Sequence, residues 1–327
     1  MEQRTGQLEP VDAQAAAAAT VRHELVERAR EYAASSRSAS TVQGYRSDWA
    51  DFTAWCDGAG LVALPAEPQT VALYLADLAD RRKPATLQRR LAAIAQAHKL
   101  AGHESPTTAP AVRLTNAGIR RTHGTNQRAV EPLVTADLQM IVRQLPASTI
   151  GLRDAALLLL GFAGALRRSE LGALQVADLR WTAEGVAVSV RRSKTDQEGQ
   201  GREIGIPFGT RAETCPVRRL QAWLETAGIT EGPVFRAVNR HGTIASEPLT
   251  GQAIARIIKR SVALVGLDPE AYSGHSLRAG LATSAAAAGV PEHVIQAQTG
   301  HKSLPVLRRY IRFGSLFTVN AVTQLGL

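Results

Sequence analysis

Residues Gly300–Arg312 read GHKSLPVLRRYIR. Tyr310 stands among three arginines, Arg308, Arg309 and Arg312, an odd setting for a core tyrosine. A phenol ordinarily titrates at roughly 10, and neighbouring cations favour its phenolate. Taken alone, the stretch also fits a solvated basic helix carrying a surface tyrosine. Its meaning depends on what the rest of the chain supplies.

Three other segments supply matching chemistry. Ser273-Gly274-His275-Ser276-Leu277-Arg278 places His275 and Arg278 one turn apart if the segment is helical. Gly274 and Ser276 at such a helix start leave N–H groups free for an anion. Together, the imidazole and guanidinium can donate several hydrogen bonds to one phosphate. Arg191-Arg192-Ser193-Lys194-Thr195 falls between two expected strands, where Lys194 alone would be an ordinary hairpin-tip lysine. In Gly164–Leu171, GALRRSEL, a long apolar run ends on Arg167 and Arg168, with Glu170 three residues after Arg167. An arginine leaving a buried helix needs a partner, and Glu170 is within reach.

Bulk properties narrow the class. Lys and Arg number 38 against 29 Asp and Glu, a net charge of +9, which favours a polyanionic partner such as nucleic acid. The two cysteines, Cys56 and Cys215, form neither a disulfide framework nor a metal cluster and suit a reducing compartment. No apolar run approaches the roughly 20 residues of a membrane span, and the start MEQRTGQLEP lacks a signal-peptide pattern. A cytoplasmic protein without membrane contact is expected.

Periodicity sets the organisation. Residues 1–19, with their alanine run, read as a flexible lead-in. The apolar spacing of Val42, Tyr45, Trp49, Phe52 and Trp55 predicts a helix capped by Ser38 or Ser40 and stopping near Asp57-Gly58. Pro68 opens a second helix with Val71, Tyr74, Leu75 and Leu78 inside. Thr86–Leu100 forms a third, followed by Gly102, and Ala111–Ile119 a shorter fourth. The basic, polar stretch Arg120–Arg128 reads as a linker between a helical domain over 20–119 and a second over 129–327. There, Leu152–Leu166 is apolar almost all round and predicts a buried helix. Leu179–Trp181, Val186–Val190 and Glu203–Ile206 predict short strands, and from Arg211 onward the pattern is mostly helical.

The order Arg167, Lys194, His275-x-x-Arg278, His301, Tyr310, with nine residues from His301 to Tyr310, resembles the signature of the tyrosine recombinase (phage integrase) family. The likeness extends from about residue 20 to the end. Ala54-Trp55-Cys56, Pro65-Ala66-Glu67-Pro68 and Ser273–Ser276 look most like the Cre-type branch, although His301 matches the wider family and departs from that branch. The resemblance implies a mainly α, two-domain fold: an all-helical, SAM-like core-binding domain, then a mixed α+β catalytic domain with a small antiparallel sheet.

It also implies the chemistry. Tyr310 attacks the scissile phosphate to give a 3′-phosphotyrosine and a free 5′-hydroxyl, and a second hydroxyl reverses the step without ATP. Arg167, Arg278 and His301 bind the non-bridging oxygens. Lys194 protonates the leaving 5′-oxygen, His275 assists at the tyrosine, and Glu170 orients its neighbours. No metal or other cofactor is implied. The implied partners are double-stranded DNA bearing an inverted-repeat site and, on DNA, a homotetramer of otherwise monomeric chains. The tail, Ile311–Leu327, would dock on a neighbouring protomer through Leu316, Phe317 and Val319, or fold back onto its own domain.

For reading DNA, polar helix faces offer Gln43, Ser47, Arg89, Arg90, Gln252, Arg256 and Lys259. Gln pairs bidentately with adenine and Arg with guanine in the major groove. The same residues also fit plain solvated faces. Two rival functions stay open on sequence: a type IB topoisomerase-like nicking-closing enzyme, and a non-catalytic DNA-binding protein of the same fold.

Overall fold

The computed structural model describes residues 25–28, 38–125, 130–191, 201–315 and 325. The chain divides into two compact units, one ending at Gln127 and the other beginning at Arg128.

The first unit is helical, and its ends follow capping chemistry. Helix α1, Ala39–Ala59, starts at Ser38, whose hydroxyl accepts from Thr41 N, and ends at Gly60 in the left-handed region. It therefore runs slightly past the expected stop at Asp57-Gly58, because Gly60 is the residue that turns the chain. Helices α2 (Pro68–Leu78), α3 (Pro84–Leu100) and α4 (Pro110–His123) each open on proline, which is suited to a first helical turn where no N–H is needed. Helix α4 runs through the first four residues expected to be linker. Phe52, Val71, Tyr74, Leu75, Leu87, Leu91 and Ile94 form the core of this unit.

Arg90 corrects the expectation of an exposed polar face. It is 6% exposed, and its guanidinium hydrogen-bonds Asp51 of α1 and the Tyr74 hydroxyl of α2. It ties three helices together, because a buried cation needs its charge and donors matched. Arg89 is exposed but grips Asp48 through two bonds of 2.7 and 2.9 Å.

In the second unit, α5 (Thr135–Gln144) and α6 (Thr149–Ala163) precede a short helix α7 (Arg168–Ala173). Strands β1 (Leu179–Trp181), β2 (Gly185–Val190) and β3 (Arg202–Pro207) form an antiparallel sheet in that order. Val188 sits opposite Ile204, and Val190 opposite Arg202. Helix α8 (Pro216–Ala227) packs on α6. A second hairpin, β4 (Arg236–Val238) with β5 (Ile244–Pro248), lies in the region expected to be mostly helical. Its residues are all half-buried or exposed, so no alternation of apolar side chains marks it. Helices α9 (Gly251–Leu264), α10 (Ser276–Ala287), α11 (Glu292–Thr299) and α12 (Leu304–Ser315) complete the unit.

Helix α6 is buried as expected, yet not purely apolar. Arg153 and Asp154 pair inside it, and Arg260 of α9 reaches Asp154 at 2.6 Å. No helix among the described residues is long and apolar enough to cross a membrane.

Candidate active site

The C-terminal end of α6 starts the site. The chain turns at Ala165, which is fully buried with φ +46°, a left-handed conformation uncommon for alanine. This turn leads to Arg167, the N-cap of α7. Glu170 accepts from the Arg167 backbone N–H at 2.9 Å and from its Nη1 at 2.5 Å. The expected Arg167–Glu170 pair is thus formed, with the carboxylate 2% exposed.

His275 is the N-cap of helix α10, which carries Arg278 in its first turn. Arg278 is 1% exposed. Its Nη1 donates to the Ala165 carbonyl at 2.8 Å, while Nη2 has no hydrogen-bond partner among the described residues. A buried donor left unpaired is costly, so a guanidinium held this way is suited to an anion.

Tyr310 comes from the inner face of α12. Leu307, Ala282 and Ile295 form a small core there, and Tyr310 and Ile311 pack against it. The Tyr310 hydroxyl lies 2.7 Å from His275 Nε2. Its ring centroid is 5.9 Å from that of His275 and 6.0 Å from that of His301. His301 follows α11, whose C-cap Gly300 has φ +62°. Its Nδ1 is 2.7 Å from Thr299 Oγ1, and its carbonyl accepts from Gln296 Nε2 at 3.0 Å.

Arg202, at the start of β3, was absent from the candidates drawn from sequence. Its Nη1 donates to the Gln298 carbonyl at 3.0 Å and its Nη2 reaches Glu170 at 3.3 Å. Gln298 in turn donates to the Ala163 carbonyl at 2.8 Å. Arg202 thereby joins the Arg167–Glu170 pair to the segment that carries His301. Nothing in its sequence neighbourhood distinguishes it from a solvated arginine opening a strand.

Burial and mutual repulsion dominate the titration. Burial, then Arg278, Arg167, His275 and Arg202, push His301 down to about 3. Burial, followed by Arg278 and Arg167, also lowers His275. Arg278 is pulled down to about 10, first by burial and then by Arg167 and Arg202. The expected drift of Tyr310 towards phenolate is reversed. Burial raises its pKa and outweighs the opposing pull of Arg278 and Arg309. The phenol therefore stays protonated at neutral pH and needs a base, and His275 Nε2 is placed to be one.

Arg167, Glu170, His275, Arg278, His301 and Tyr310 thus come together from three of the four segments, all in the second unit. Lys194 lies in 192–200, outside the described residues, as do Leu316, Phe317 and Val319 of the tail. Among the residues expected to read DNA, Gln43 and Ser47 are exposed on α1, and Gln252 and Arg256 on α9. Lys259 contacts both carboxylate oxygens of Glu270 at 2.9 Å, and Arg89 and Arg90 are engaged as described.

A model of the phage integrase family matches residues 131–314. The chain is 42% identical over 294 residues to an integrase/recombinase xerD homolog of Selenomonas ruminantium, covering 89% of this chain and 86% of the relative. It is 26% identical over 281 residues to the recombinase cre of Escherichia phage P1, covering 80% of each. The expected likeness to the Cre branch is therefore present but weaker than the likeness to the xerD homolog. A lambda integrase tetramer bound to a Holliday junction shares the fold, with a TM-score of 0.56 and 19% identity over 88% of this chain and 76% of that one. With this match and the convergence of Arg167, His275, Arg278, His301 and Tyr310, the chain belongs to the phage integrase family of tyrosine recombinases.

Proposed function

We propose that the protein is a site-specific DNA recombinase that cuts and rejoins DNA through a 3′-phosphotyrosine at Tyr310. The observation that carries this is the 2.7 Å contact between the Tyr310 hydroxyl and His275 Nε2, next to a buried Arg278 with a spare donor. The Tyr310 oxygen attacks phosphorus and its proton passes to His275, neutral in this setting. The bond from phosphorus to the 5′-oxygen breaks. Lys194 returns a proton to that oxygen, a role that rests on the family resemblance. Arg278, Arg167 and His301 hold the non-bridging oxygens as charge builds on them. Glu170 and Arg202 set the position of these groups.

The unit over residues 129–327 carries the chemistry, and the helical unit over 20–119 contributes to holding the duplex. Exposed Gln43, Ser47, Gln252 and Arg256 supply base or phosphate contacts. The substrate is double-stranded DNA with inverted-repeat sites, engaged by a tetramer across two duplexes. The tail beyond Ile311 docks on a neighbouring protomer, and the protein works at the bacterial nucleoid. Family membership and the positive charge support this reading.

A nicked suicide duplex carrying the cognate site tests it. Wild-type protein is expected to form a DNA adduct that survives denaturation, and Tyr310→Phe to form none. An adduct in that variant refutes the assignment. A plasmid with two sites separates the rival activity: relaxation without deletion or inversion indicates a nicking-closing enzyme.

A further inference from the structure

Thr299 is fully buried, and its hydroxyl lies 2.7 Å from two groups at once, the Ile295 carbonyl and His301 Nδ1. A hydroxyl has one hydrogen and two lone pairs, and a carbonyl oxygen can only accept. At 2.7 Å the two oxygens need a hydrogen between them, so the Thr299 hydrogen goes to Ile295. The remaining contact then requires that His301 Nδ1 be the donor and Thr299 Oγ1 the acceptor.

From this geometry we infer that Thr299 is a positioning residue that fixes the tautomer of His301, keeping its proton on Nδ1 and leaving Nε2 as the basic ring nitrogen. The inference rests on the cleavage reading given above and deepens it. A neutral His301 so held cannot donate to a phosphate oxygen, because its one N–H is committed to Thr299. It can donate only after gaining a second proton, which has a single place to go, Nε2. The charged and titratable groups acting on this ring are Arg278 and His275 of α10, Arg167 before α7 and Arg202 of β3, with the Tyr310 ring of α12 alongside. The cations oppose that proton in the free protein. A DNA phosphate set among the same arginines offsets their charge and favours it. His301 therefore becomes a donor when the phosphate arrives, and Thr299 determines which nitrogen faces it.

This arrangement has a pH signature. Cleavage by wild type falls as pH rises through the DNA-bound His301 pKa, because the ring loses the Nε2 proton. Thr299→Val keeps the shape and removes the acceptor. Its neutral ring is free to carry the proton on Nε2 and donate without charging, so its decline is flatter. The ratio of Thr299→Val to wild-type cleavage should climb by on the order of tenfold per pH unit above that pKa, the dependence on one proton. Thr299→Ser restores the hydroxyl and the wild-type profile. A purely structural lesion would lower the rate by the same factor at every pH.

The test pairs spectroscopy with kinetics on the full-length chain. Long-range proton–nitrogen correlation spectra at neutral pH, with His301 assigned by its loss in His301→Gln, should show Nδ1 protonated in wild type and Thr299→Ser but not uniformly so in Thr299→Val. Adduct formation on the nicked duplex is then followed against pH. A wild-type His301 protonated on Nε2 overturns the inference, and so does a Thr299→Val pH profile parallel to wild type. If wild type forms no adduct but carries its proton on Nδ1, the cleavage reading fails and the Thr299 assignment stands.

Discussion

Gly300→Ala should cost the second unit about 3 kcal/mol, from two separable sources. The first is conformational. Gly300 has φ +62°, where an alanine is disfavoured by about 1–2 kcal/mol, partly offset by the lower entropy of its unfolded chain. That leaves about 1 kcal/mol. The second is contact. A Cβ built at Gly300 lies 2.8 Å from Arg202 Nη1 and 3.2 Å from its Cδ and Cζ. The guanidinium would have to move away from the Gln298 carbonyl and Glu170. Hydrogen bonds to a charged group contribute about 1.5–3 kcal/mol each, and partial recovery elsewhere leaves a loss of about 2 kcal/mol. In a unit of this size the whole effect lowers the melting temperature by roughly 6–12 °C. A double-mutant cycle isolates the second source. In an Arg202→Ala background, Gly300→Ala should cost only about 1 kcal/mol, giving a coupling of about 2 kcal/mol. Thermal and urea unfolding of the four proteins measure it. Equal losses in both backgrounds, within about 0.5 kcal/mol, would refute the close approach of Arg202 to Gly300.

Stability should also depend on His301. Its pKa is about 3 when folded, against roughly 6.5 when unfolded, so between these values the unfolded chain binds more protons. The contribution is complete above about pH 6.5 and is lost as pH falls towards 3. His301→Gln should flatten the acid side of the melting-temperature profile, and an unchanged slope would contradict the assignment. In the first unit, Arg90→Met should destabilise by about 2 kcal/mol, because Asp51 and the Tyr74 hydroxyl keep their bond to each other but lose the cation they share. Arg89→Ala should cost about 2 kcal/mol, since it strips Asp48, only 3% exposed, of both its bonds and leaves that charge 4.0 Å from Arg90. Urea unfolding followed by the fluorescence of Trp49 and Trp55 measures both, and a loss under about 0.5 kcal/mol for Arg90→Met would show that Arg90 does not tie the helices.

The candidate residues that the structure brings together were legible in sequence because they sit in short motifs, and proline and glycine marked most helix ends. What stayed hidden has physical causes. Helical periodicity put Arg90 on the polar side, yet its partner Asp51 lies 39 positions earlier, and no local pattern reports a cross-helix ion pair. The Arg202 side chain donates to the Gln298 backbone carbonyl, 96 positions away, which no local pattern reports. The β4–β5 hairpin buries too little to show alternation. The direction of the Tyr310 shift was misjudged because cations are visible in a sequence and desolvation is not. Lys194, by contrast, was named from its motif and lies beyond the described residues.

Among the described residues, the pocket gathers the guanidinium charges of Arg167, Arg202 and Arg278 against the carboxylate of Glu170. Free of DNA, that excess works against the fold that assembles it. A bound anion relieves the repulsion, so occupancy and folding are thermodynamically linked, and the protein is sturdier on its substrate than off it. The relief is indifferent to base sequence, since any well-placed phosphate supplies the missing charge. The pocket can therefore hold the protein on arbitrary DNA while it searches, and the choice of site has to be made by surfaces remote from the tyrosine.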